Sequence, residues 1–99
     1  MLAKISIKRK FIRDNTSEIL TLLMQLRSGT IKQCGYISGE TLTSATDPQS
    51  IAVRATWQGM EDWLKWKGNP TRTMTEAMLE VFQLGPTVYE EYVLGITFK

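Results

Sequence analysis

The chain has 99 residues, 42% of them hydrophobic, and twelve Lys and Arg against ten Asp and Glu leave a formal charge of +2. That length suits a single domain, residues 1–99, which buries about 60–65% of the unfolded chain's surface, so pairing with a second subunit would help it. With no histidine and one cysteine, Cys34, the chain offers neither an internal disulfide nor a metal cluster of the usual spacing, and a cysteine nucleophile would lack its activating base.

Cys34 therefore reads as a buried or partly buried small residue. No stretch approaches the roughly 20 apolar residues that cross a bilayer, and the N-terminal segment lacks the apolar core of a signal peptide. A cytoplasmic protein with no membrane partner is expected.

Leu2 to Phe11 alternates Ala3, Ile5, Ile7 and Phe11 with Lys4, Ser6, Lys8 and Lys10, the period of a strand. Arg9 is the one polar intruder on the apolar set. The basic residues gather here, as Lys4, Lys8, Arg9, Lys10 and Arg13. Their alternation with apolar neighbours fits a solvated strand face better than a phosphate-contacting patch, and no nucleic-acid partner is expected. Asn15, with Glu18 three residues on, predicts a capped helix start. Ile19, Leu22, Leu23, Leu26 and Ile31 form its apolar stripe, and Gly29 and Gly35 mark its decay into a turn.

Tyr36 to Ser44 reads as a second strand, with Tyr36, Ser38, Glu40 and Leu42 on one face and Ile37, Gly39 and Thr41 on the other. Gly39 in mid-strand predicts a bulge or a close backbone approach. Ala45 to Gln49 is turn chemistry, and Ile51 to Trp57 alternates as the third strand of an antiparallel hairpin. After Gly59, Met60, Trp63, Leu64 and Lys67 mark one face of a short helix that Asn69-Pro70 breaks. A helix over Thr71 to Leu84 follows, with Met74, Ala77, Met78, Val81 and Phe82 as its expected buried face, stopped by Gly85-Pro86. Thr87 to Phe98 is the expected fourth strand. Two long helices on one face leave the other face of the sheet uncovered, and its apolar positions are expected to need a partner.

The run Gly35-Tyr36-Ile37-Ser38-Gly39-Glu40-Thr41-Leu42, with Asp47-Pro48, Thr56-Trp57, Glu61-Asp62-Trp63-Leu64-Lys65-Trp66 and Gly85-Pro86-Thr87 following in order, resembles the antibiotic biosynthesis monooxygenase family. The resemblance extends from Leu2 to Tyr92. It implies an α+β fold, ferredoxin-like βαββαβ with a four-stranded antiparallel sheet, paired into a dimeric α/β barrel. It further implies a homodimer and a monooxygenase that needs no cofactor, acting on a small aromatic or quinol-type metabolite whose anion reduces dioxygen directly. The haem-degrading and quorum-signal branches rely on histidine, which is absent here, and the inward first-strand positions are Ile5 and Ile7 rather than asparagine. Two other readings stay open: a protein that binds a small hydrophobic molecule without turnover, and an interaction dimer whose pocket is packed shut.

The candidate substrate-binding residues are Tyr36, Arg54, Trp57, Trp66, Met78 and Tyr92. The aromatic and Met side chains suit a dry cavity for a ring, or simply a core. Arg54 would hold an anionic oxygen or pair with Glu40 or Glu90 across the sheet. Tyr36 and Tyr92 carry hydroxyls able to relay a proton, or plug a strand end. Trp66, off the face of its helix, is expected at the pocket mouth. Glu40 would be a base if burial raised its pKa, and the pattern identifies no catalytic residue.

Overall fold

A computed structural model describes residues 1–96 and 98. Its elements run β1 (Ala3–Lys10), α1 (Thr16–Thr30), β2 (Tyr36–Thr43), β3 (Ser50–Trp57), α2 (Met60–Lys67), α3 (Pro70–Glu80) and β4 (Val88–Val93). The strands form one antiparallel sheet in the order β2-β3-β1-β4. This is the ferredoxin-like βαββαβ arrangement, with its second helical region in two pieces.

Register sets which residues share a face. Ile5 stands opposite Ala55 and Glu91, and Ile7 opposite Val53 and Tyr89. Ala3, Ile5, Ile7 and Arg9 therefore share a face with Ile51, Val53, Ala55 and Trp57, and this face carries the core. One cluster joins Ala3, Ile5, Ile7, Trp57, Trp63 and Trp66, and a second joins Phe11, Ile19, Leu26 and Leu79. Trp66 lies against α1 at Gly29, where a Cβ would meet the indole at 2.8 Å. A side chain at position 29 would push the ring out.

The opposite sheet face differs from expectation. Charged and hydroxyl side chains hold most of it, Lys4, Ser6, Lys8 and Lys10 on β1, Arg54 and Thr56 on β3, Ser38 and Glu40 on β2, and Glu90 and Tyr92 on β4, while the apolar Leu42, Ala52 and Val88 hold one part. Water can meet the charged part, so the apolar exposure expected over the whole face is confined to Leu42 and Val88 near one end of the strands. Further uncovered apolar residues lie on and beyond the edge strand β4, where Val93, Leu94 and Ile96 are exposed.

Several boundaries and faces also move. Asn15 begins α1 with φ 68° and makes no side-chain capping bond, because this left-handed backbone, which Asn tolerates, carries the cap through its carbonyl to the Ile19 N–H. Ile31 falls past the helix and is exposed, as is Cys34 in the turn before β2. A register shift between Tyr36 and Ser38 puts Tyr36 on the helix side with Gly39 and Thr41. In α2 the inward residues are Trp63 and Trp66, whereas Leu64 is exposed.

The largest departure is α3. Asn69 caps it by accepting from the Thr71 N–H at 2.9 Å, with Pro70 in the first turn. Its buried residues are Arg72, Thr75, Glu76 and Leu79, while Met74, Met78 and Val81 face solvent. The apolar stripe was expected inward, but an ionic contact with β1 claims that side. The chain leaves the helix at Val81 so that Ile12 can bond the Phe82 carbonyl and Leu84 the Lys10 carbonyl. β4 ends at Val93 ahead of Gly95, whose φ of 101° departs from a strand. Of the fourth strand expected to Phe98, Thr97 lies outside the described residues.

The two faces of α3 differ in what truncation should do. Leu79→Ala should lose about 2–5 kcal/mol of stability, and Met78→Ala about 0.5 kcal/mol or less, both read from urea unfolding. Equal losses would contradict the orientation of the helix.

Candidate functional site

Three concavities flank the sheet, one of them an open groove of about 630 Å³ lined by Leu42, Ala52, Leu84 and Val88 among others. On the strand face lies an open trough of about 700 Å³, lined by Lys4, Lys8, Glu40, Arg54, Glu90 and Tyr92 among others. Between sheet and helices lies a cavity of about 60 Å³ with Ile7, Val53 and Ala55 as its floor and Tyr36, Trp57, Trp63 and Trp66 among its walls. Arg27 and Thr41, which line it and are also exposed, place its mouth between α1 and β2. At roughly 10–15 Å³ per water, the cavity holds a few waters or a small anion. A ring enters only if the mouth widens.

The structure divides the six candidates. Tyr36, Trp57 and Trp66 line the inner cavity, Arg54 and Tyr92 line the outer trough, and Met78 lines neither, being 46% exposed on the far side of α3. Trp66 is 4% exposed and donates its N–H to Thr30 Oγ1 at 3.0 Å, so it is a wall of the cavity rather than a cover over its mouth. Arg54 stands opposite Glu40 in register. The Lys8 ammonium, 2.8 Å from Glu90, is the main cause holding the Glu90 carboxyl below its ordinary value, with smaller help from Tyr92 and Arg54. In the trough Lys4, Lys8 and Arg54 stand among two carboxylates, Glu40 and Glu90, and these charges reach water.

Beneath the sheet they do not. Arg9, reaching inward from β1, contacts Glu76 Oε1 through its terminal nitrogen. Arg72 lies 3.5 Å from the same oxygen and donates to the Tyr89 hydroxyl at 3.1 Å. All three charged side chains are at least nine-tenths buried. Arg9 Nε, Glu76 Oε2 and Trp57 Nε1 are buried without a hydrogen-bond partner. Arg9 and Arg72 both line the cavity, and Arg72 sits over Trp63 and Tyr89 at 5.2 and 5.4 Å from the ring centroids. The rings continue as a ladder, Tyr36 to Trp57 at 5.4 Å, Trp57 to Trp63 at 5.9 Å and Trp63 to Tyr89 at 6.0 Å.

Sequence reading passed over Arg72 and Glu76. The available signals were Arg9 breaking an apolar alternation and an Arg/Glu pair four residues apart on one helix face. Among the described residues, no group of three or more His, Cys, Asp or Glu is placed to hold a metal ion, and no helix is long and apolar enough to cross a membrane.

Fold and cavity define a small α+β protein of the ferredoxin-like class with an aromatic, arginine-bearing space between sheet and helices. Its fold is that of the antibiotic biosynthesis monooxygenases. A protein from Nitrosomonas europaea assigned to that group superposes with TM-score 0.83 at 14% identity, over 92% of this chain and 88% of that one. A variant of SnoaB, a cofactor-independent oxygenase from Streptomyces nogalater, superposes with TM-score 0.83 at 10% identity, over 97% and 95%. A conserved protein from Methanosarcina mazei Go1 gives 0.86 at 14% identity, over 93% and 91%. No protein-family profile matches the sequence, and no curated protein matches it.

Beside the cavity, Trp63 donates to Glu91 Oε2 at 2.5 Å and Lys67 at 3.0 Å. The Trp63 bond first, then Lys67, holds the Glu91 carboxyl below its ordinary 4.5. A carboxyl depressed by folding contributes stability that is present above its unfolded value and lost as pH falls through its folded one. Acid unfolding should therefore steepen below about pH 4.5, and Glu91→Gln should flatten that slope in denaturation curves taken across the acidic range. An unchanged slope would remove Glu91 from the account.

Proposed function

We propose that this chain is a homodimeric, cofactor-independent monooxygenase acting on a small aromatic or quinol-type metabolite that binds between sheet and helices. The observation that carries this reading is a cavity walled by aromatic rings whose lining residues Arg9 and Trp57 each keep a buried donor, Nε and Nε1, without a partner. A purely apolar cavity would suit passive storage; donors without acceptors suit a ligand that carries oxygen. In such chemistry the substrate supplies the electrons. Deprotonation of a phenol or hydroquinone raises its electron density, dioxygen adds to ring carbon, and loss of water from the resulting hydroperoxide leaves a carbonyl. The protein's part is to bind the ring away from water and stabilise the anion with preplaced dipoles. Members of the shared fold that are described as oxygenases support the reading by analogy.

The mainly apolar lining of the cavity, with Ile7, Leu23, Leu26, Val53 and Ala55, favours one competing reading, a protein that holds a small hydrophobic molecule without turning it over. Oxygen uptake separates the two. With a hydroxylated naphthalene or anthracene-type compound, the protein should accelerate uptake above autoxidation, and Trp57→Phe, which keeps the ring and removes a donor to an uncharged oxygen of the ligand, should slow it by about tenfold, the worth of one hydrogen bond of about 1.4 kcal/mol. Uptake equal to buffer across a panel of phenols, despite binding, would establish the non-catalytic reading.

The dimer is argued from the exposed Val93, Leu94 and Ile96 at the edge strand and from domain size. Light scattering at micromolar concentration should give twice the 11.3 kDa chain mass or an even multiple. A monomer mass would exclude the paired barrel.

A further inference from the structure

The buried ionic cluster carries more positive than negative charge. Arg9 and Arg72 share a single carboxylate, Glu76, and the neighbouring Lys67 is already paired with Glu91 at 3.0 Å. An unbalanced charge held away from water is destabilising unless something neutralises it. Arg9 also has an unused donor, Nε, on a residue 4% exposed that lines the cavity, whereas the cluster's unused acceptor, Glu76 Oε2, belongs to a residue outside that lining. A packed ion triad that served the fold alone would have no unmatched charge and no idle donor beside a void.

We propose that the Arg9–Arg72–Glu76 cluster is a binding site for one anionic oxygen group, a carboxylate or phenolate head, so that the inner cavity takes its ligand as an anion. This rests on the preceding reading only for the ring attached to that head. The free space of about 60 Å³ fits the head itself, and the two guanidinium groups offer the charge-assisted donors that such oxygens favour. Trp57 does not share the head. Its partner on β1 is Ala3, whereas Arg9 lies six residues further along that strand, about 20 Å of backbone away. The arginines hold the charged end, and the indoles face the remainder of the ligand.

Glu76 sets how strongly the site attracts an anion, since it neutralises one of the two arginines. Removing its charge should strengthen anion binding, and removing an arginine's should abolish it. A structural triad predicts no such opposition, because both changes would simply weaken the fold.

The test uses the intact protein and formate, with formamide as the neutral match of similar size and sodium chloride at equal ionic strength as the screening control. Formate should raise the melting temperature of the wild-type protein while formamide and chloride do not. By calorimetry, Glu76→Gln should bind formate at least threefold more tightly and Arg72→Gln at least tenfold more weakly. Equal shifts from formate, formamide and chloride would overturn the proposal without need of any variant. So would an Arg72→Gln protein, folded by circular dichroism, that binds formate as well as wild type; if that variant does not fold, Arg72→Met, which also removes the charge, replaces it in the same comparison.

A second arm uses 4-nitrophenol, whose ionisation is visible as colour, against 4-nitroanisole. Bound nitrophenol should turn yellow at lower pH than in buffer. Formate binding without nitrophenol binding would uphold the anion site and remove the aromatic substrate from the reading above. Nitrophenol that binds in its neutral form, together with no formate effect, would do the reverse.

Discussion

Two arginines and a glutamate meeting beneath the sheet decide more of this structure than any apolar contact. Isolated buried charges are costly, and a pair recovers that cost only with good geometry and full hydrogen bonding. Arg9 arrives from the central strand and Glu76 from α3, so their contact fixes the rotation of the helix about its own axis. Once Arg72 and Glu76 point inward, residues two positions away on the helix must point outward. Met74 and Met78 are exposed for that reason. Leu79, one turn on from Thr75 and fully buried, supplies the apolar anchor that this otherwise polar face needs.

The same inward-facing charges give the space under the sheet its chemical character. The Arg72 guanidinium lies over both Trp63 and Tyr89, where the ring quadrupole favours a cation. The ladder from Tyr36 through Trp57 and Trp63 to Tyr89 links the edge strand to the cluster. Gly39 allows this at the edge: a Cβ there would lie 2.6 Å from the Tyr36 hydroxyl. The strand bulge turns Tyr36 inward and the missing side chain leaves it room.

Element order was legible in the sequence because each element carried its own period or stop signal. The alternation of Ala3, Ile5 and Ile7, the Asn69-Pro70 break and the hairpin around Asp47 all act over a few residues, and the structure follows them. Facing was less legible. Tyr36 changes face because one extra residue shifts every side chain before it, and no local composition marks which residue is the extra one. Met74 and Met78 read as core because hydrophobic stripes usually are; the long-range contact between residues 9 and 76 overrides that rule. Gly39 did signal a close approach, though the approaching group is mainly a tyrosine hydroxyl. Of the proposed site, the aromatic wall could be anticipated from Trp57 and Trp66, but the charged end lay in Arg9, noticed as an oddity, and in two helix residues that look like an ordinary surface pair.

Gly29 gives the fold a dependence between distant positions. Within a helix, glycine is less favourable than alanine by roughly 0.8–1.0 kcal/mol, so taken alone the position invites replacement. Yet the Trp66 indole occupies the space a methyl group would take. The sign of a change at 29 is thus set by the occupant of 66: harmful beneath the indole, beneficial beneath a smaller side chain. Such sign epistasis makes the order of substitutions matter, and a lineage that keeps this tryptophan keeps a weakened turn of helix with it.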